Sequence, residues 1–176
     1  PDWPNHVAFQ APGRRLGPGD ALAGRKVLVL AEQGLGDEIM FASLLPDLVQ
    51  ELGPDGRLTL AVDPRLAELA ARSFPQARVC GHATDRIGTR LRRRPAAAPE
   101  DAVEFWAPLA SLGQRYRRSA ADFPRAPYLT PDPERVRRWR NWLGPAPSIG
   151  VSWRSGKLTG ERRRFYPALG DWAGLL

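Results

Sequence analysis

The stretch that decides the fold is VLVLAEQGLGDEIMFASLLPDLV, residues 27–49. Its first four residues are all apolar, which is typical of a buried strand. Further apolar residues recur at helical spacing and fall on one helical face: Phe41, Leu44, Leu45, Leu48 and Leu52. The turn between the two elements therefore leads from a strand into a helix, and such turns are where open α/β sheets bind ligands. We expect a kink at Pro46, because proline removes the helical hydrogen bond to Ala42.

Two nucleotide-binding motifs can be tested against this turn. A P-loop has the pattern GxxxxGK[ST], and it is excluded because no lysine follows the turn. A dinucleotide fingerprint has the pattern GxGxxG; Gly34 and Gly36 are present, but Ile39 stands in place of the third glycine. What remains is a tight turn that places Asp37 in the first turn of the helix. A carboxylate there either takes part in a reaction or only stabilises the helix terminus.

Composition predicts a globular chain with a sizeable core, since 43% of its 176 residues are hydrophobic. No apolar run approaches the roughly 18 residues of a membrane span, and no signal-peptide pattern is visible. The single cysteine, Cys80, excludes an internal disulfide framework and a multi-cysteine zinc site. We therefore expect a cytoplasmic protein without a membrane span, in which Cys80 is a small buried hydrophobic residue.

The net charge of +7 raises the question of nucleic-acid binding. Of the 26 basic residues only Lys26 and Lys157 are lysines, and the arginines are scattered along the chain. No sheet with exposed aromatic residues for base stacking is indicated. We expect solvated helix faces and loops at these arginines, and no nucleic-acid partner.

The rest of the chain alternates strands with helices. Strands are predicted at residues 58–62, 77–80 and 103–106, and Asp63-Pro64 predicts the start of a helix that runs through Arg72. The segment PDPERVRRWRNWL, residues 131–143, predicts a helix with Asp132 as its N-cap. Such alternation implies parallel strands and right-handed crossovers. We therefore predict a Rossmann-like parallel sheet with helices on both faces.

Three segments depart from this pattern. Residues 1–22 lack periodicity and are interpreted as a linker or the tail of an upstream domain. The Arg-, Pro- and Ala-rich residues 81–101 are interpreted as a loop, in which His82 is expected to be a surface histidine. SIGVSWRSGK, residues 148–157, predicts the first strand of a second sheet at 149–153, with a helix beginning near Tyr166. We therefore predict one domain over residues 23–147 and an incomplete second domain over 148–176, in a fragment of a two-domain protein.

Three motifs together carry a family resemblance: AEQGLGDEIMFASLLPDL, IGVSWRSGK and RRRFYPALGDW. They resemble the glycosyltransferase domain attached to bacterial tetratricopeptide-repeat proteins, which is related to the heptosyltransferases. The resemblance implies the GT-B architecture, in which two Rossmann-like domains face each other across a cleft. It implies that the first domain holds the acceptor and that the missing second domain holds the nucleotide-sugar. It also implies tetratricopeptide repeats upstream of this chain.

The resemblance assigns roles to individual residues. It implies that Asp37 is the general base that deprotonates the acceptor hydroxyl in a single inverting displacement. It implies substrate binding by Gln33, Gly34 and Gly36, because a side chain at either glycine would occupy space that the substrate needs. A further set of residues is expected to face the diphosphate of the donor: Ser152, Arg154, Ser155, Lys157 and Arg164.

The function predicted from these roles is that of a nucleotide-sugar-dependent, inverting glycosyltransferase acting on a glycan or protein acceptor. No cofactor is required, and no metal is expected because the sequence lacks the Asp-x-Asp pattern of metal-dependent glycosyltransferases. One alternative is a non-catalytic binding or scaffold module attached to tetratricopeptide repeats. A Rossmann-like NAD(P)-dependent oxidoreductase is a further alternative, disfavoured by the missing third glycine.

Overall fold

The computed structural model describes residues 7–32, 34–88, 90–97, 99, 102–152, 160, 164–172 and 174. The chain divides into two compact units, Pro1–Arg135 and Val136–Leu176. This division falls twelve residues before the predicted boundary at 147/148, because the helix predicted over 131–143 contributes most of its length to the second unit.

One mostly parallel sheet organises the first unit. Its seven strands are β1 (Val7–Phe9), β2 (Arg14–Arg15), β3 (Lys26–Leu30), β4 (Arg57–Val62), β5 (Ala77–Ile87), β6 (Arg90–Pro95) and β7 (Phe105–Pro108). They lie in the order β1-β6-β5-β4-β3-β7-β2. Every neighbouring pair is parallel except β5 and β6, which form an antiparallel hairpin. The predicted α/β class and the predicted strands at 27–30 and 58–62 are confirmed.

Short helices follow the central strands. They are α1 (Leu35–Phe41), α2 (Leu45–Leu52), α3 (Ala67–Ser73), α4 (Gly113–Tyr116) and α5 (Pro133–Leu143). The predicted first helix is interrupted by a 3₁₀ turn, Ala42–Leu44, directly before Pro46. This is the place of the expected kink, and proline is tolerated at the start of α2 because the amide it lacks has no helical partner there. The helix after Asp63 also begins with a 3₁₀ turn, Pro64–Leu66.

The two faces of the sheet are covered differently. Helices α1, α2 and α3 pack on one face, where the central strands contribute Val27, Val29, Leu58 and Leu60 to the core. Leu28 and Leu30 point to the other face, and in the described part of the chain they pack against Phe9, Ala11, Val103 and Trp106 rather than against helices. The prediction of helices on both faces is therefore corrected: the curled end of the sheet brings residues 9–11 over this face, with the rings of Phe9 and Trp106 6.0 Å apart.

The segments predicted to lack structure contain three strands. Within residues 1–22, β1 pairs with β6, β2 pairs with β7, and Leu22 is buried in the core, so part of this stretch belongs to the sheet and is not a linker. Within the predicted loop 81–101, β5 continues to Ile87 and β6 pairs with it. Polar side chains stabilise this hairpin, since Asp85 contacts both Arg92 and Arg94 across the strands. The strand predicted at 103–106 begins two residues later, at Phe105.

The second unit confirms one prediction and corrects another. Helix α5 is present, and Asp132 accepts hydrogen bonds from the backbone N–H groups of Glu134 and Arg135, at 2.8 and 3.0 Å, as its predicted N-cap role requires. The predicted strand at 149–153 is absent from its described residues, 149–152, where the side chain of Ile149 is 88% exposed. A strand needs a hydrogen-bonded neighbour, and none of the described residues pairs with this segment. Within the described residues 164–172, the regular element after Tyr166 is a 3₁₀ turn, Leu169–Trp172.

Within the described residues, none of the helices has both the length and the apolar character needed to cross a membrane.

Candidate functional site

The junction between β3 and α1, residues 31–37, lies where the parallel strands β3, β4 and β7 all end. Open α/β sheets bind ligands at this edge because the loops and helix N-termini meet there. Gly34 is the N-cap of α1, and its backbone N–H donates a 3.0 Å hydrogen bond to Oδ2 of Asp37. This hydrogen bond closes the first turn of the helix to which Asp37 itself belongs. The Asp37 side chain is half-buried. Its predicted catalytic role stays a prediction.

The two glycines of the junction are exposed, and neither has a positive φ angle. A Cβ atom added at Gly36 would meet no atom within 4 Å, and one at Gly34 would meet only Asp37 Oδ2, at 3.3 Å. Backbone conformation therefore does not require glycine at Gly36. The open space leaves room for a ligand, as the predicted substrate-binding role requires, and that role stays a prediction. Gln33 lies outside the described residues.

A buried polar network lies directly behind the junction. We call Glu38, His82 and Arg93 the buried network. Oε2 of Glu38 accepts a 2.8 Å hydrogen bond from the backbone N–H of Asp63, and Oε1 lies 3.1 Å from Nε2 of His82. The side chains of Glu38 and His82 are 2% and 7% exposed. Because the carboxylate accepts, the hydrogen atom of this contact lies on Nε2 of His82.

Arg93 connects this network to the end of β3. Its Nη1 donates a 3.0 Å hydrogen bond to the backbone oxygen of Ala31 and lies 4.0 Å from Oε1 of Glu38. Its Nε donates to Oγ1 of Thr84, on the neighbouring strand, at 3.2 Å. A single guanidinium thus ties β6 to β5 and to the first residue of the junction. The network can fix the path of the chain where the junction begins.

Glu32 is the carboxylate of the junction with an unusual environment. Burial raises the pKa of its carboxyl group, while the charges of Arg93 and Arg15 and the backbone N–H of Ala110 oppose that rise. Its side chain is half-buried and has no ion-pair partner within 4 Å among the described residues. A carboxylate with a raised pKa is a stronger base than an ordinary glutamate, and such groups cluster at functional sites.

Asp63, at the end of β4, shows the opposite behaviour. The Arg65 side chain lowers the pKa of Asp63 to about 2 through two 2.9 Å hydrogen bonds. Its carboxylate also accepts the backbone N–H of Arg65 at 3.0 Å, as an N-cap residue does. Asp63 is therefore an ionised, structural residue.

A small cleft opens beside the junction, between β2 and the turn after β7. This β2–β7 cleft has a volume of about 210 Å³ and is lined mainly by Arg15, Pro18, Pro108, Ser111, Gln114 and Arg115. A larger groove of about 760 Å³ lies against the ends of β1 and β6. Alanine and proline residues form most of the wall of that groove, whereas the β2–β7 cleft offers several polar groups close to Glu32.

The second predicted group of site residues falls largely outside the described part of the chain. Arg154, Ser155 and Lys157 are not among the described residues. Ser152 is exposed, and the guanidinium of Arg164 lies over the ring of Phe165, 4.9 Å from its centroid. The predicted contact of these residues with a diphosphate stays a prediction. Among the described residues no three or more His, Cys, Asp or Glu side chains are grouped as metal ligands would be.

Sequence reasoning missed the buried network and Glu32. His82 was expected at the surface, but it lies on β5 with its side chain 7% exposed. The sequence does contain a signal for Glu38, because it precedes Ala42 and Leu45 by four and seven residues and so shares their apolar helical face. A charged residue on such a face needs buried partners. No sequence signal identifies His82 and Arg93 as those partners, since they lie 44 and 55 residues further along the chain.

By its fold and site, the chain is an α/β protein with a mostly parallel sheet and a polar site at the carboxyl ends of its strands. It is similar to Protein FlbA of Caulobacter vibrioides, with 42% identity over 173 residues, which cover 96% of this chain and 29% of the relative. The chain thus spans less than a third of the length of that relative. No family model matches the chain, and no solved structure matches it.

These comparisons correct the family resemblance that the sequence motifs suggested. The similar protein carries the name FlbA, and neither a glycosyltransferase family nor a tetratricopeptide-repeat family is indicated. The assignment to the glycosyltransferase domain of tetratricopeptide-repeat proteins is therefore wrong. Short motifs such as EQGLGD describe a strand-to-helix turn, and a turn of this kind occurs in many α/β proteins.

Proposed function

We propose that this chain takes part in transferring a sugar from a nucleotide-sugar to a hydroxyl group, with Glu32 as the base. The observation that carries the proposal is the half-buried Glu32 carboxylate, whose pKa is raised by burial, at the carboxyl edge of the sheet. Gly36, four residues further along the same junction, leaves open space in which a ligand could approach the backbone.

The proposed reaction is a single displacement. The carboxylate of Glu32 accepts the hydroxyl proton while the acceptor oxygen forms a bond to the anomeric carbon of the sugar. The bond from that carbon to the diphosphate oxygen breaks, and the nucleoside diphosphate leaves with the electron pair. The configuration at the anomeric carbon is therefore inverted. No metal ion is invoked, so the charge on the diphosphate has to be stabilised by cationic and hydroxyl donors.

The donor site belongs to the same proposal. The nucleotide-sugar would be bound by a second Rossmann-like domain that includes residues 148–176. The predicted diphosphate ligands are Ser152, Arg154, Ser155, Lys157 and Arg164. Their hydroxyl and cationic groups suit a departing diphosphate.

The buried network is assigned a positioning role. Arg93 holds the carbonyl of Ala31, the residue directly before Glu32, and its charge also acts on the Glu32 carboxylate. Glu38 in turn lies 4.0 Å from Nη1 of Arg93 and 3.1 Å from Nε2 of His82. These contacts fix the backbone from which Glu32 projects, and a fixed base does not need to reorganise during the reaction.

A non-catalytic binding module is the second candidate function. The observation in its favour is that Asp37 and Glu38 both have hydrogen-bond partners inside the protein. A site in which carboxylates serve only structure could bind a sugar or nucleotide without turning it over. The transferase assay described next separates the two functions. A binding module would bind the nucleotide-sugar without transferring the sugar, and Glu32→Gln would not change that result.

The test is transferase activity of the protein in its full natural length. It would be screened with a panel of nucleotide-sugars, and transfer would be followed by mass spectrometry. Glu32→Gln should lower turnover by roughly 10²–10⁴-fold, the usual contribution of a general base. Asp37→Asn is measured beside it, and Glu68→Gln, on the exposed side of α3, is the matched control that should leave turnover unchanged.

The pH dependence of turnover gives an independent reading. Glu32 acts as a base only when ionised, so turnover should rise with pH through a pKa above the ordinary glutamate value of 4.5. A loss of turnover in Asp37→Asn with full activity in Glu32→Gln would reassign the base to Asp37. Full activity in both variants would reject a carboxylate base in the junction.

A further inference from the structure

We propose that the β2–β7 cleft binds the acceptor through an anionic group held by Arg15. The ligand class is a hydroxylated compound of monosaccharide size that carries a carboxylate or a phosphate. The inference rests on the proposed function only for the identification of this ligand as the acceptor. Binding of such a compound in the cleft is a separate statement and can be tested without any transfer reaction.

The arginines around the cleft differ in how their charges are compensated. Arg115 is paired with Glu51, and Arg14 is paired with Asp20 at 2.6 Å. Arg15 lies over the ring of Trp106, 5.8 Å from its centroid, and among the described residues it has no carboxylate within 4 Å. Its guanidinium therefore keeps donors for a ligand, and a guanidinium binds carboxylates and phosphates with paired hydrogen bonds.

The walls of the cleft are held in place by other hydrogen bonds. Arg115 donates to the backbone oxygens of Pro18 and Asp20, at 3.1 and 2.7 Å. The carboxylate of Asp20 accepts the backbone N–H of Gly17 at 2.7 Å. These contacts fix residues 17–20, which form one side of the opening. A preformed cleft loses less conformational freedom on binding than a mobile loop does.

The size and lining of the cleft indicate the kind of ligand. Pockets for drug-sized molecules have volumes of about 300–1,000 Å³, so a cleft of about 210 Å³ suits one sugar-sized unit. Ser111 and Gln114 add a hydroxyl and an amide to the lining, and both can exchange hydrogen bonds with sugar hydroxyls. The apolar part of the wall is formed by Leu16, Pro18, Ala107, Pro108 and Leu112.

The cleft lies next to the proposed base. Arg15 is close enough to Glu32 for its charge to act on that carboxylate. The backbone N–H of Ala110 also acts on Glu32, and Ala110 directly precedes Ser111 of the lining. Pro108 of the lining pairs with Leu30, two residues before Glu32, and on this ground we place a hydroxyl group of the bound acceptor near the Glu32 carboxylate. The anion would set the orientation of the acceptor, and Glu32 would meet the hydroxyl.

The experiment is a calorimetric titration of the 176-residue chain with glucuronate, glucose 6-phosphate and glucose. The two anions share the ring hydroxyls of glucose, so glucose reports binding without the anionic group. Arg15→Gln should weaken the affinity for each anion at least about tenfold, as expected for the loss of hydrogen bonds to a charged group, and should not change the affinity for glucose. Arg86→Gln, at an exposed position on β5, is the matched control and should bind as the unmodified chain does.

The affinities for glucuronate and glucose 6-phosphate show whether the cleft prefers a carboxylate or a phosphate. Affinities for both anions that are unchanged in Arg15→Gln would overturn the inference, and so would the absence of anion binding by the unmodified chain. Melting temperatures establish that the variants fold. Because the titration contains no nucleotide-sugar, its failure leaves the role of Glu32 in turnover standing, and anion binding without any turnover would leave the cleft standing while rejecting the transfer reaction.

Discussion

Glu32 and Glu38 lie six residues apart, yet the two carboxylates have different surroundings. Glu38 lies in the buried network and has a backbone N–H, an imidazole and a guanidinium around it. Glu32 lies in the junction, half-buried, where burial raises its pKa and no ion pair compensates it among the described residues. Partnered buried charges support a structure, whereas a half-buried acid with a raised pKa and no ion-pair partner is available for chemistry. The predictions below test this division between the buried network and the junction.

The largest effect is expected in the buried network. Glu38→Ala leaves the Asp63 N–H, His82 and Arg93 without their acceptor in a site closed to solvent. Breaking a buried ion pair by removing one partner typically costs about 3–5 kcal/mol, and we expect the free energy of unfolding to fall by that amount. Urea denaturation monitored by circular dichroism measures it.

Two further variants control this result. Glu68→Ala removes an exposed glutamate from α3 and should change the stability by no more than about 0.5 kcal/mol. Glu38→Gln should cost less than Glu38→Ala, because His82 can shift its proton to Nδ1 and accept from the new amide. A loss below about 1 kcal/mol in Glu38→Ala would contradict the structural role of the network.

The difference between the two regions also explains what the sequence could predict. β3, β4 and the N-cap of α5 were predictable because apolar runs and capping residues act over a few positions. β6 has the sequence RLRRRP, in which apolar and polar residues do not alternate. It is held in place by contacts with Asp85 on β5 and by pairing with β1. Its formation depends on residues that are distant in the chain, so local patterns miss it.

The same reasoning applies to the site. The β3–α1 turn was predictable from the strand and the helix on either side of it. The partners of Glu38 come from β5 and β6, and no spacing in the sequence indicates that they meet. The different roles of Glu32 and Glu38 depend on how deeply each side chain is buried. Burial follows from tertiary packing, which the sequence pattern does not determine.

A smaller effect is expected at Asp63, where pH provides the test. The folded-state pKa of Asp63 is depressed to about 2 from an ordinary value of 3.8, so its stabilising contribution is present above pH 3.8 and is lost as the pH falls through about 2. Asp63→Asn keeps the N-cap but removes the ion pair, and it should cost up to about 1 kcal/mol at pH 7 because the Arg65 side chain of the pair is largely exposed. Denaturation at pH 7 and pH 2 should show the two proteins converging at low pH. A difference that stays constant across this range would exclude the ion pair as its source.

Gly36→Ala is expected to leave the fold intact or stabilise it slightly. The added Cβ meets no atom within 4 Å, and alanine is favoured over glycine in a helix by roughly 0.5–1 kcal/mol. If a substrate approaches the backbone here, the same methyl group occupies its space and raises KM. A variant with an unchanged or higher melting temperature and an unchanged KM would show that the open space at Gly36 is not part of the binding site.

The smallest effect on stability is expected for Asp37→Asn, and this variant divides the structural from the catalytic role. The asparagine oxygen can still accept the Gly34 N–H that Asp37 accepts at 3.0 Å, so the first turn of α1 keeps its hydrogen bond. Only the favourable interaction of the charge with the helix N-terminus is lost, which is worth under about 1 kcal/mol. If Asp37 only closes this turn, turnover should remain close to that of the unmodified protein. If Asp37 removes the acceptor proton, turnover should fall by roughly 10²–10⁴-fold with the melting temperature and donor affinity preserved. Turnover and melting temperature measured on Asp37→Asn and Glu32→Gln together decide which carboxylate is the base, because the two substitutions exchange an acid for its amide in the same junction.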